Sequence, residues 1–109
     1  MIKNKFAIML SISFMIIAFV SGCAPKTADQ QLISECEAAC QAALAAGQDL
    51  NAGPCLLNPM SNSSWVCDIA HEPRQDTDNL PENQCSEYRN STATHFIELT
   101  PECEVIKSV

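Results

Sequence analysis

The chain has 109 residues, a formal net charge of −7 and an isoelectric point near 4.5. That length leaves room for one domain. The acidity argues against nucleic acid as a partner and against a domain lying flat on anionic lipid.

In chain order, Lys3 and Lys5 come first, with no acidic residue near them. Phe6 to Val20 follows, 15 residues interrupted only by Ser11 and Ser13. As a helix it would reach roughly 22 Å, short of the roughly 30 Å hydrocarbon core of a bilayer. The run therefore reads as the apolar region of an export signal. Val20-Ser21-Gly22-Cys23 closes it, with small residues just before a cysteine.

This arrangement resembles the signal peptide and lipobox of prokaryotic lipoprotein precursors. The resemblance is confined to about the first fifth of the chain. It implies cleavage before Cys23, so that residues 1–22 are removed and Cys23 carries the lipid. Residues 23–28 then form the lipidated cysteine and a short tether, and residues 29–109 an extracytoplasmic domain held close to a membrane. The alternatives are an uncleaved N-terminal anchor running to Ala24 and an ordinary secretory signal. All three export the remainder, because Lys3 and Lys5 hold the N-terminus inside. From Cys23 onward only Lys26, Arg74, Arg89 and Lys107 oppose thirteen acidic residues, a net charge of −9.

Six cysteines remain beyond Cys23: Cys36, Cys40, Cys55, Cys67, Cys85 and Cys103. An even number in a small exported domain reads as three disulfides, and six cysteines allow about 15 pairings. Cys36-x3-Cys40 and Cys67-x3-His71 have spacings that would also suit a metal. However, there is no C-x2-C knuckle of the kind structural zinc sites use, and no haem attachment motif.

Thr27 to Ala46 reads as a helix. Thr27-x-x-Gln30 is a capping box, Asp29 lies in the first turn, where the dipole favours it, and Gly47 is a left-handed terminator. Leu32, Ile33, Cys36, Cys40, Ala43 and Leu44 recur at helical spacing on one face. Asn51 to Cys55 is a turn marked by Gly53 and Pro54, and Leu56-Leu57 is a short buried segment. Trp65 to Ala70 alternates as a strand, with Trp65, Cys67 and Ile69 on one face and Val66, Asp68 and Ala70 on the other. Glu72 to Gln84 is a polar loop broken by Pro73 and Pro81, and Ser86 to Arg89 a helical turn. Thr94 to Leu99 is a second strand, with His95, Ile97 and Leu99 opposite Phe96 and Glu98. Thr100-Pro101-Glu102 is a turn, and Glu104 to Lys107 a short third strand. The expected fold is α+β and disulfide-rich, one N-terminal helix on a two- or three-stranded antiparallel sheet.

Chemistry-bearing residues are sparse. If the two main strands pair antiparallel, His71 and His95 approach one another beside Glu72, Asp76 or Asp78, a candidate metal or acid–base site. Asp76-Thr77-Asp78-Asn79 has the composition of a calcium loop, but Pro81 stands where an EF-hand needs glycine. There is no G-x-S-x-G elbow and no glycine-rich phosphate loop, so the chain reads as a non-enzyme. Asn62-Ser63-Ser64 and Asn90-Ser91-Thr92 fit the N-glycosylation acceptor pattern. The expectation is a lipid-anchored binding or structural domain without cofactor. Its partner would be a protein or a small molecule, engaged by the Glu72–Gln84 loop with His71 and His95. A small metal-binding protein using the two histidines is the alternative.

Overall fold

The computed structural model describes residues 26–109. The expectations for residues 1–22, Cys23 and Ala24 therefore lie outside the described residues.

Helix α1 spans Ala28–Ala45 and begins as the sequence predicts. Thr27 Oγ1 accepts from the Gln30 amide at 3.2 Å, and Gln30 Oε1 accepts from the Thr27 amide at 3.0 Å. These two bonds satisfy donors that an uncapped end would leave orphaned. At the other end Gly47 adopts φ 78°. The Gly47 amide donates to Leu44 O and the Gln48 amide to Ala43 O, which closes a Schellman motif. Leu32, Cys36 and Cys40 form the buried stripe of the helix. Leu44 departs from its expected place. It lies one turn beyond Cys40, which is the last residue of the stripe to be buried, and is 42% exposed.

The sheet has four strands in the order β1-β2-β3-β4. They span Cys55–Leu57, Trp65–Ile69, His95–Leu99 and Val105–Ser108. The outer pairs β1–β2 and β3–β4 are antiparallel, but the central pair β2–β3 is parallel, with Trp65 opposite His95 and Ile69 opposite Leu99. This corrects the expected two- or three-stranded antiparallel sheet. The alternation of side chains is the same in either direction of pairing and so carries no information about direction. The intervening chain does carry some, since a parallel pair needs a crossover of a dozen residues or more. Here 25 residues separate Ile69 from His95.

Helix α1 covers one face of the sheet. Leu32, Cys36 and Cys40 pack with Trp65, Cys67, Ile69, Ile97 and Leu99 as one buried cluster. Cys36–Cys67 and Cys40–Cys103 tie the helix at two successive turns, to β2 and to the β3–β4 turn. Cys36 and Cys40, one turn apart on the helix, thus bond separate partners. Cys55–Cys85 joins β1 to the crossover. Three bridges closing loops of 30 to 63 residues suit a domain whose core is too small to carry stability alone. They are the pattern of an oxidising, extracytoplasmic compartment. No helix among the described residues is long and apolar enough to cross a membrane.

The crossover runs over the opposite face. Residues 72–84, read from the sequence as a polar loop, contain two 3₁₀ turns at Asp76–Asn79 and Pro81–Asn83. Helix α2, Ser86–Arg89, follows and packs against β2. Asn58, just after β1, holds the start of α2: its Oδ1 accepts from the Glu87 amide at 2.9 Å, and its Nδ2 donates to Ser86 Oγ.

Candidate functional site

The residues of β2 and β3 that face away from α1 are Val66 and Asp68, and Phe96 and Glu98. The parallel register sets each pair side by side. Lys107 on β4 stands opposite Glu98, so Asp68, Glu98 and Lys107 form a row across three strands. The crossover arches over this row and borders a half-open cavity of about 580 Å³. Its walls are Arg74, Gln84, Cys85, Tyr88 and Arg89. Tyr88 meets Phe96 edge to face at 5.1 Å, and Lys107 Nζ lies 5.6 Å from the Phe96 ring centroid.

The charges of this cavity are unevenly matched. Arg74 is held by its own loop: Nε donates to Asn79 Oδ1 at 2.7 Å and Nη2 to the Asp78 carbonyl at 3.2 Å. Its Nη1 reaches Glu98 at 3.4 Å, a part-exposed pair worth under about 1 kcal/mol. Arg89 and Lys107 make no ion pair among the described residues. Asp68 Oδ1 is shielded from solvent and has no hydrogen-bond partner in the protein. Burial, reinforced by the neighbouring Glu98, pushes the Asp68 carboxyl up to about 8, so near neutral pH this group holds its proton.

Beside the cavity lies a second buried carboxylate with the opposite character. Asp78 is 2% exposed. Its Oδ2 accepts from the amides of His71 and Gln75, both at 2.9 Å, and its Oδ1 lies 2.9 Å from His71 Nδ1. Burial alone would raise this carboxyl, but the amides and the imidazole outweigh it and hold it below 3.8. An ionised carboxylate only accepts, so the hydrogen-bond network assigns the Nδ1 proton to His71. The site works as a staple for the crossover. It also explains Gly53, at φ 71°, where a Cβ would stand 2.6 Å from Asp78 Oδ1.

The two histidines do not meet. With β2 and β3 parallel, His95 aligns with Trp65 while His71 lies six residues further along, roughly 20 Å away at strand spacing. His95 stacks on Trp65 with ring centroids 4.6 Å apart, and His71 is committed to Asp78. The expected two-histidine site is thus overturned by strand direction. No group of three or more His, Cys, Asp or Glu side chains among the described residues is placed to hold a metal ion. The six cysteines are bonded to one another. Asp78, part of the calcium-like run, spends its oxygens on amides and the imidazole. Asn62 and Asn90 are both exposed.

The loop expected to bind, Glu72–Gln84, contains Arg74 and Gln84, but the sequence did not mark Asp68, Arg89, Glu98 and Lys107 as their neighbours. One signal was available. Asp68 and Glu98 are the charged residues at the non-core positions of the two strands, and a parallel register with aligned ends puts them side by side. Comparisons with protein-family models, with curated proteins and with solved structures find no match to this chain.

Proposed function

We propose that this chain is a lipoprotein held at the outer side of a membrane through Cys23, whose one domain binds a small molecule between the sheet and the crossover. The observation that carries the binding reading is the cavity of about 580 Å³ with the shielded, unpartnered Asp68 Oδ1 in its wall. Its volume falls within the range of small-molecule sites, about 300–1,000 Å³, and it combines an aromatic pair with a few polar groups. A buried polar atom without a partner costs about 1–3 kcal/mol, a cost that a ligand's hydrogen bond offsets. This cavity replaces the His71 and His95 surface as the binding region, and only Arg74 and Gln84 are common to both. The three disulfides support export, and the Val20-Ser21-Gly22-Cys23 motif supports the lipid anchor.

Two measurements test the reading. Intact mass of membrane-extracted protein should give a chain starting at Cys23, carrying a lipid mass and gaining six alkyl groups only after reduction. A full-length N-terminus without lipid would reject the lipid on Cys23 and make the apolar run itself the anchor. A fragment library screened by amide chemical-shift perturbation should give hits clustered on Val66, Asp68, Tyr88 and Phe96. Hits confined to any other surface would reject the cavity as the site.

A further inference from the structure

The domain is strongly acidic, yet three of its four cations meet at one place. From Cys23 onward the chain has Lys26, Arg74, Arg89 and Lys107 against thirteen carboxylates, and all but Lys26 line the cavity over the sheet. In such a chain a cation has carboxylates in excess to pair with. Arg89 and Lys107 nevertheless make no ion pair among the described residues. The wall between them carries Phe96 and Tyr88, in mutual edge-to-face contact. The cavity therefore combines two cations without a carboxylate partner, an aromatic surface over which one of them, Lys107, already lies, and a shielded oxygen lacking a partner at Asp68.

We infer that the cavity takes a small organic carboxylate with an apolar or aromatic body, its carboxylate set by Arg89 and Lys107 and its body lying on Phe96 and Tyr88. This rests on the reading of the cavity as the binding site and names its ligand class. The groups facing Asp68 fit that charge. Glu98 on β3 is engaged by Arg74, the nearby Asp78 is satisfied by its own amides, and Lys107 stands across from Glu98. With Asp68 carrying its proton, the cavity has three cations against one carboxylate, and the Asp68 hydroxyl can donate to the incoming anion. A carboxylic acid donating to a carboxylate forms a short, charge-assisted hydrogen bond. A cationic ligand would meet Arg74, Arg89 and Lys107 at close range.

The test uses the lipid-bearing protein that starts at Cys23, in detergent micelles, and three probes at equal concentration: benzoate, benzylamine and inorganic phosphate. Benzoate should shift the amides of Val66, Asp68, Phe96 and Lys107 in a saturable manner, and the other two should shift them far less. In R89Q/K107Q, whose altered side chains lie at the cavity wall, benzoate binding should weaken at least tenfold while the rest of the spectrum is retained. D68N, which keeps a donor but cannot ionise, should bind benzoate at pH 9 better than the parent chain does. Benzylamine matching or exceeding benzoate at these amides would overturn the ligand's charge and leave the cavity as the site. Phosphate matching benzoate would overturn the aromatic body. Cavity amides that respond to none of the three would overturn both the ligand class and the cavity reading.

Discussion

Asp68 and Glu98 are in-register neighbours on adjacent parallel strands, with both carboxyls at the wall of the same cavity. Like charges placed side by side in a sheet are destabilising. The pair persists because Asp68 keeps its proton, with its carboxyl at about 8, and because Arg74 engages Glu98.

The first prediction is a pH dependence with a definite sign. Folded Asp68 releases its proton at about pH 8, whereas the unfolded chain releases it near 4. Between these values the folded state binds the extra proton, so this group makes stability fall as pH rises from about 4 to about 8. D68N removes the effect. Thermal melts of both proteins from pH 5 to pH 9 should show the parent losing ground to D68N on the order of 3 kcal/mol, discounted for partial solvation. A difference that stays constant with pH would show that Asp68 is not protonated in the fold.

Asp78 has the reverse sign. Its carboxyl is held below 3.8, so its contribution is present above the unfolded value and is lost as pH falls through the folded one. D78A deletes the acceptor of two amides and of the His71 imidazole in a buried site. A loss of about 2–4 kcal/mol is expected in urea denaturation at pH 7. The loss should shrink as pH falls below the unfolded value of about 3.9, where the unfolded chain takes up the proton before the folded one.

The two glycines with positive φ separate strain from crowding. Gly47, at φ 78°, has nothing within 4 Å of an added Cβ. G47A should cost only the left-handed backbone penalty, about 1–2 kcal/mol. At Gly53 the same penalty applies, and in addition a Cβ meets Asp78 Oδ1 at 2.6 Å. Because Asp78 is pinned by three hydrogen bonds, it cannot move aside without breaking the staple. G53A should therefore be the more damaging by at least about 1 kcal/mol, and this excess over the backbone penalty should largely disappear in a D78A background, as a double-mutant cycle would report.

The disulfides divide by role. Replacing both members of Cys36–Cys67, of Cys40–Cys103 or of Cys55–Cys85 by alanine should cost about 2–4 kcal/mol in each case. Cys55–Cys85 is the bridge that places α2, and Cys85 itself lines the cavity. C55A/C85A should therefore weaken cavity ligands several-fold while the other two double variants leave them within about twofold. Peptide mapping without reduction checks the three pairings directly.

The helix was legible in the residues because capping is local. Thr27, Gln30 and Gly47 act within one turn of where they stand in the chain. The six bridging cysteines were legible as a set, because pairing in an oxidising compartment follows from their even number once Cys23 is assigned to lipid. The alternation of Trp65, Cys67 and Ile69, and of Ile97 and Leu99, marked the strands and their buried face. The expectations of an export signal and of a lipid on Cys23 likewise rest on local residues.

Three things were decided by tertiary structure. One was the choice among the disulfide pairings, which depends on which Cα atoms lie within about 6 Å of each other. Another was the parallel direction of β2 and β3, to which a period of two is blind. The last was the site itself: Asp68, Glu98, Lys107, Arg74 and Arg89 come from three strands and a crossover, and no local pattern links them. The same strand direction that parted His71 from His95 put Asp68 beside Glu98. Side-chain period and caps are properties of neighbouring residues. The direction of a strand depends on the path of the chain between strands, and here that path also builds the wall of the cavity.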